Sequence, residues 1–312
     1  MKKSLPIFLA ILAAALYALS IPVSKLLLKE VPSTLLAGFL YLGAGIGMSL
    51  VYGVKKIAKK GKRENSLAKS DFKYVLGMIV LDIAAPIFLL LALSKADALN
   101  VSLMSNFEIV ATSLIALLLF KEVIGKKLWV GIVLITVASI VLSMDFSQGF
   151  TFSFFSLFAL LASTCWGLEN NCTRAISSKS PYQIVILKGL FSGLGSLVIG
   201  LIIGQRCSNW AYIGYALLLG FVSYGLSVFF YVIAQRYLGA SKTSSFYAVG
   251  PFIGCGLSFL ILGERPYFTF YIALGLMVSG LVFVLLDRNQ SFSSSLKKAN
   301  PKIENKGISK PS

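Results

Sequence analysis

Long apolar runs separated by short polar or basic stretches dominate this chain. The runs are continuous, about 20 residues each, and not alternating, which predicts membrane-crossing helices and disfavours a β-barrel. Ten spans follow, at about 6–28, 32–54, 74–93, 98–120, 128–144, 154–174, 183–204, 211–233, 243–262 and 268–286. The expected fold class is therefore all-α integral membrane. The start, Met1-Lys2-Lys3 before an apolar run, has the form of a signal peptide. The run continues past Pro22 to Leu28, too long for a signal core, and reads as an uncleaved first span.

Composition agrees. Of 312 residues, 57% are hydrophobic and only 13% charged, about half of what a soluble domain carries. The net charge of +17 does not call for nucleic acid, because the basic residues cluster in loops and in the tail. With the N-terminus in the cytoplasm, the inner segments hold Lys2, Lys3, eight basic residues from Lys55 to Lys73, and Lys121, Lys126, Lys127, Arg174, Lys179, Arg236 and Lys242, besides the basic tail. The outer segments hold only Lys25, Lys29, Lys95, Arg206 and Arg265. That asymmetry predicts both termini in the cytoplasm. The compact chain, with little outside its spans, suggests a prokaryotic inner (plasma) membrane. The Ser-, Lys- and Asn-rich stretch 288–312 is expected to be a disordered basic cytoplasmic tail.

The chain also repeats itself. Displaced by 149 positions, the first span falls on the sixth: Tyr17 meets Trp166, Ser24 meets Thr173, Lys25 meets Arg174 and Pro32 meets Pro181. Displaced by 142, the fourth falls on the ninth: Ala98 meets Ala240, Ser102 meets Ser244 and Glu122 meets Glu264. The expected domains are residues 1–145 and 146–287, each of five spans. Five is odd, so the second set enters the membrane in the opposite sense, giving two inverted five-helix repeats, a recurring plan of secondary transporters.

These residues carry a family resemblance. Tyr17-Ala18 with Lys25, Trp166-Gly167 with Arg174, and the Glu that closes the fourth span of each half (Lys121-Glu122, Gly263-Glu264) are similar to the drug/metabolite transporter superfamily, and within it to EamA-type permeases. The Gly expected about nine residues after that Glu is present as Gly131; Gly275 comes two residues late. The resemblance covers roughly residues 6–286. It implies a secondary transporter, often an exporter, of small metabolites, amino-acid-like compounds or drugs.

The candidate chemistry lies where polar groups interrupt the spans, since such groups are costly in lipid unless they face other helices or a cavity. Span 6 ends in Trp166-Gly167-Leu168-Glu169-Asn170-Asn171-Cys172-Thr173-Arg174. Trp166, Asn170 and Thr173 share a helix face. With Glu169, and with Tyr17 and Ser20 of span 1, they are the candidate substrate-binding residues; the competing reading is an interhelical polar clamp. Glu108, deep in span 4 with Ser105 and Thr112 on its face and Asn106 nearby, joins Glu169 and Asp82 as a candidate proton carrier, in a chain without His. Facilitated diffusion or exchange needs no such group. Lys188, the one basic residue inside a span, could snorkel, hold a carboxylate-bearing substrate or pair with Glu169.

Pro22, Pro86 and Pro251 each remove a helical hydrogen bond and mark hinges or static bends. Glu122 and Glu264 are expected to be structural, paired at the interface with Lys121 and Arg265. Tyr224 and Tyr231 of span 8 could line the same cavity as Tyr17. Gly43-x-x-x-Gly47, Gly200-x-x-x-Gly204 and Gly250-x-x-x-Gly254 permit close helix approach. The four Cys form no CxxC pair, so no metal site and no cofactor are expected. No Walker A sequence is present. A membrane-embedded enzyme lacks a nucleophile with a base, and a channel shares the architecture without needing the repeat. The expected partners are the lipid bilayer and a small-molecule substrate, with protons open as a coupling ion and no nucleic acid. Ten spans can enclose a cavity in one chain, so a monomer suffices.

Overall fold

The computed structural model describes residues 4–57, 65–120, 125–145, 151–152, 154–238, 243 and 246–299. The first part holds α1 (Ser4–Ala18), α2 (Ser20–Leu27), α3 (Ser33–Ile57), α4 (Phe72–Lys95, entered through a 3-10 turn), α5 (Ala98–Met104), α6 (Phe107–Phe120) and α7 (Lys126–Ser143). A two-residue antiparallel pair, Met144–Asp145 with Thr151–Phe152, precedes α8 (Phe154–Ile176). Then come α9 (Pro181–Ile202), α10 (Trp210–Gly220), a π-helical turn Phe221–Leu226, α11 (Ser227–Leu238), α12 (Gly250–Leu262) and α13 (Phe268–Ala299). Among the described residues the protein is all-helical apart from the short strand pair.

Among the described residues six stretches are long and apolar enough to cross a membrane: 5–27, 33–57, 69–95, 98–115, 181–202 and 210–234. Gly250–Leu262 and Phe268–Val284 are shorter apolar helices. Leu50, Val54, Phe72, Leu118, Phe191, Ile202, Trp210 and Leu260 point outward and exposed. In water such a girdle would be an association hazard; against acyl chains it costs nothing. The chain is thus a multi-pass membrane protein.

Two of the expected spans are interrupted. Span 1 is broken at Leu19, where α1 ends and α2 begins. Pro22 has no N–H to give the carbonyl four residues back, at Ala18, so the helix is interrupted there. Span 4 is broken at Ser105 and Asn106, between α5 and α6. Helix α13 runs on past residue 287, to Ala299. A helix already formed needs no new nucleus, and each added residue gains a backbone bond. Residues 300–312 lie outside the described residues.

The bundle is held by small residues. Helix α3 lies antiparallel on α9: Leu35 N–H donates to Gln205 Oε1 (3.1 Å) at one end, and Lys55 Nζ lies 4.3 Å from the Tyr182 ring centre at the other. Between these ends Gly45 meets Gly189, and Gly193 meets the backbone of Leu42 and Gly38. Gly43 and Gly220 bring α10 onto the same helix. Helix α7 packs on α13 through Gly131 and Gly280, α4 on α8, α1 on α11, α6 on α8, and α12 on α1 and α5. Helix α12 stops at Gly263, whose φ of 64° is left-handed and favours glycine. Gly263→Ala is expected to destabilise the protein by about 1 kcal/mol, read as a lower midpoint in detergent thermal unfolding. An unchanged midpoint would show that this cap is not under strain.

Candidate functional site

Four helices bring charge into the middle of the bundle. Asp82 from α4, Glu169 from α8 and Lys188 from α9 are 0%, 3% and 8% exposed. Lys188 Nζ lies 3.1 Å from Asp82 Oδ2 and 3.1 Å from Glu169 Oε1. From α3, the Tyr41 hydroxyl donates to Asp82 Oδ1 (2.9 Å). The Thr173 hydroxyl, one turn beyond Glu169, donates to Glu169 Oε1. Of the three readings open for Lys188, the structure shows the pairing with Glu169 and adds Asp82 as its second partner.

Beside this triad Glu108, at the start of α6, accepts a hydrogen bond from Asn170 Nδ2. Asn170 is therefore turned toward α6, whereas Asn171 donates to Gly167 O of its own helix (2.9 Å). Close approach of α6 and α8 is possible because residue 167 is glycine: a Cβ there would lie 2.8 Å from the Ala111 side chain. Two buried carboxylates, with the half-buried Glu108 beside them, thus share a single ammonium among the described residues. Charges in low dielectric need partners, and among the described residues Glu108 has a neutral amide, not a cation, as its hydrogen-bond partner.

Aromatic rings form the wall. The Tyr17 ring centre is 6.2 Å from that of Trp166, 5.7 Å from Tyr224 and 5.8 Å from Tyr247. Tyr41 stacks tilted on Tyr224 at 5.1 Å, and Tyr231 meets Tyr247 at 4.9 Å. Ser227 Oγ donates to Ala13 O (2.8 Å) and lies 3.4 Å from the Tyr247 hydroxyl. Ser20 is buried at the head of α2.

The prolines serve this cluster. Pro22, Pro86 and Pro251 lie four residues after Ala18, Asp82 and Tyr247. Each therefore leaves a main-chain carbonyl without its helical donor at or next to a residue of the cluster. Helix α4 nevertheless runs through Pro86 without interruption.

The structure brings Asp82, Glu169, Thr173, Glu108, Asn170, Trp166 and Tyr17 into one connected region. Glu264 lies apart from it. Its Oε1 and Oε2 accept from the N–H groups of Ala98 (3.1 Å) and Leu99 (3.0 Å), capping α5 in place of the expected pairing with Arg265. Carboxylate at a helix N-terminus satisfies donors that have no partner in the helix. Glu122 and Lys121 lie outside the described residues. Sequence reasoning missed Tyr41 and Tyr247, which no spacing singled out, although the Pro four residues after Tyr247 was a usable signal.

A model of the EamA-like transporter family matches residues 4–144 and 153–286. A relative described as "Uncharacterized transporter", from Methanothermobacter thermautotrophicus, is 26% identical over 294 residues, spanning 88% of this chain and 84% of the relative. A crystal structure of another protein, 16% identical, superposes over 93% of this chain and 99% of its own with a TM-score of 0.65; at that identity it speaks to the fold alone.

Proposed function

From the premise that this chain belongs to the EamA-like transporter family, we propose that it is a secondary active exporter working by alternating access across the plasma membrane of a prokaryote. Its membership makes it a membrane transporter of small substrates, and both the family and the relative point away from an enzyme. The finer reading is that it exports metabolites, amino-acid-like compounds or drugs, with both termini in the cytoplasm.

One observation carries this reading: an aromatic-walled cluster in which Lys188 is pinned between Asp82 and Glu169 while Glu108 has no cation of its own among the described residues. A structural clamp needs matched charges, and this one has a surplus of acid. A proton or a cationic group of the substrate would relieve it. Substrate contacts fall to Trp166, Asn170, Thr173, Tyr17 and Ser20, with Glu169 between binding and charge balance. Coupling falls to Glu108, with Asp82 and Glu169 as its electrostatic neighbours.

The helix pairings support two inverted five-helix repeats, residues 1–145 and 146–287. Exchanging the halves maps the α3–α9 contact and the α7–α13 contact onto themselves. It maps α4 on α8 onto α11 on α1, and α6 on α8 onto α12 on α1. Such pseudo-symmetry offers two related packings open to opposite sides.

The test is ligand-dependent thermal stabilisation of the purified protein across a metabolite panel, followed by counterflow in proteoliposomes. A ligand of the native state raises its unfolding temperature by mass action. Glu169→Gln is expected to lose the shift seen with the wild type. Glu108→Gln is expected to keep exchange but lose accumulation driven by a pH gradient. Ion currents without saturable counterflow would establish a channel instead, and accumulation intact in Glu108→Gln would leave that residue a structural role.

A further inference from the structure

We propose that the seam between α2, α5 and α12 is one half of the translocation route, held shut in this state by Lys25 and Glu264, and that Ser24, Ser102 and Asn106 are the groups a polar solute meets along it. The proposal rests on the alternating-access reading above.

The seam begins at the aromatic cluster. Ala18, next to Tyr17, ends α1, and its carbonyl faces α12, where a Cβ at Gly254 would lie 3.4 Å from it. The same Cβ would lie 2.9 Å from Ser102 Oγ of α5. Gly254 therefore has α1 on one side and α5 on the other, and a Cβ there would displace the Ser102 hydroxyl. Helix α2 also touches both α5 and α12.

The helices that form it carry polar groups without partners. Ser24 Oγ, Ser102 Oγ and both Asn106 Nδ2 and Oδ1 are buried and hydrogen-bond to nothing among the described residues. These residues are 1%, 0% and 2% exposed. Ser102 and Asn106 are four apart, one helical turn, and Asn106 lies at the α5–α6 break two residues before Glu108. A buried amide with neither donor nor acceptor used is unfavourable, so packing alone does not account for it. A solute, or the water that enters with it, supplies the missing bonds when the seam opens. The complementary class is a small polar solute that both donates and accepts hydrogen bonds, not a wholly apolar one.

At its far end the seam is fastened. Lys25 Nζ donates to the carbonyls of Leu93 (2.7 Å), in the last turn of α4, and of Ala96 (2.5 Å), just past its end. Glu264 caps the first N–H groups of α5. Two charges from α2 and from beyond α12 thus grip the same α4–α5 turn from opposite ends. Beyond them opens a cavity of about 470 Å³, lined in part by Lys25, Lys29, Ser94, Leu262 and Glu264. The fastening therefore stands between a solute-accessible vestibule and the bare hydroxyls.

The experiment places one reactive thiol in the seam. In the full chain with Cys165, Cys172, Cys207 and Cys255 replaced by Ala, Ser102→Cys is exposed in proteoliposomes to a charged, membrane-impermeant methanethiosulfonate. Labelling should be slow, and should rise roughly tenfold or more when Lys25→Ala and Glu264→Gln are added, as charge-assisted bonds holding one state are removed. Gly254→Leu should return it to the slow rate. Equal labelling with and without the two clamp residues would overturn the proposal, as would unimpeded counterflow through Gly254→Leu. A protein that transports nothing would sink the proposed function yet leave the labelling result standing. Flux that persists while labelling ignores the clamp would sink only this route.

Discussion

Lys188→Met is expected to abolish transport and to destabilise the folded protein by about 3–5 kcal/mol, the loss typical of removing one partner of a buried ion pair. The ammonium lies 3.1 Å from each of two carboxylates, and no other Lys or Arg is paired with either among the described residues. Methionine fills a similar volume but leaves Asp82 and Glu169 facing each other in low dielectric. Repulsion, more than lost attraction, then dominates. Adding Asp82→Asn and Glu169→Gln removes it, so the triple variant should recover most of the thermal midpoint in detergent while remaining inactive. That split separates stability from function. A triple variant as unstable as Lys188→Met would mean that packing of the long side chain, not charge, is what matters. A transporting Lys188→Met would remove the triad from the mechanism.

How far this site was legible depends on the residue. Glu169, Asn170 and Thr173 stood out because polar groups in an apolar run have few places to go, and the structure joins each to a partner in or beside the cluster. Lys188 stood out for the same reason, but its role did not. Its partners come from helices 106 and 19 residues away in sequence, and pairing across such distances leaves no local periodicity. Tyr41 is hidden more completely, because a tyrosine in a membrane helix reads equally as an interfacial anchor or as core. Glu264 shows the opposite failure. Its sequence neighbour Arg265 suggested a pair, yet the carboxylate is better used where two backbone donors have no helical acceptor.

The helices were legible for the plainest physical reason, the length of the apolar runs. Their interruptions were half legible. The break at Leu19 follows from Pro22 by the missing donor, whereas that at Ser105 and Asn106 has no proline or glycine to announce it. The glycine motifs gave close approach but not the partner. Gly43 and Gly47 meet Leu217 and Phe221, whereas the tightest crossing of α3 on α9 uses Gly45, between them.

That crossing sets the other large effect. Gly189→Val is expected to prevent recovery of monodisperse protein, because its Cβ would lie 2.3 Å from the backbone nitrogen of Gly45 and 2.7 Å from the carbonyl oxygen of Tyr41. Those neighbours are main chain and cannot rotate away, so the two helices must separate. Moving them apart strips contacts along the whole interface, a cost above the roughly 1–3 kcal/mol of ordinary overpacking. It would also pull Tyr41 from Asp82 and Lys188 from its two acids, since α3 carries the first and α9 the second. Gly53→Val on the same α3 is the control, because nothing lies within 4 Å of its Cβ. It should behave as the parent in size-exclusion chromatography apart from a small helix-propensity effect. If Gly189→Val yields a monodisperse protein with the parent's thermal midpoint, α3 and α9 do not touch at these glycines, and the charge cluster that they hold together loses its scaffold.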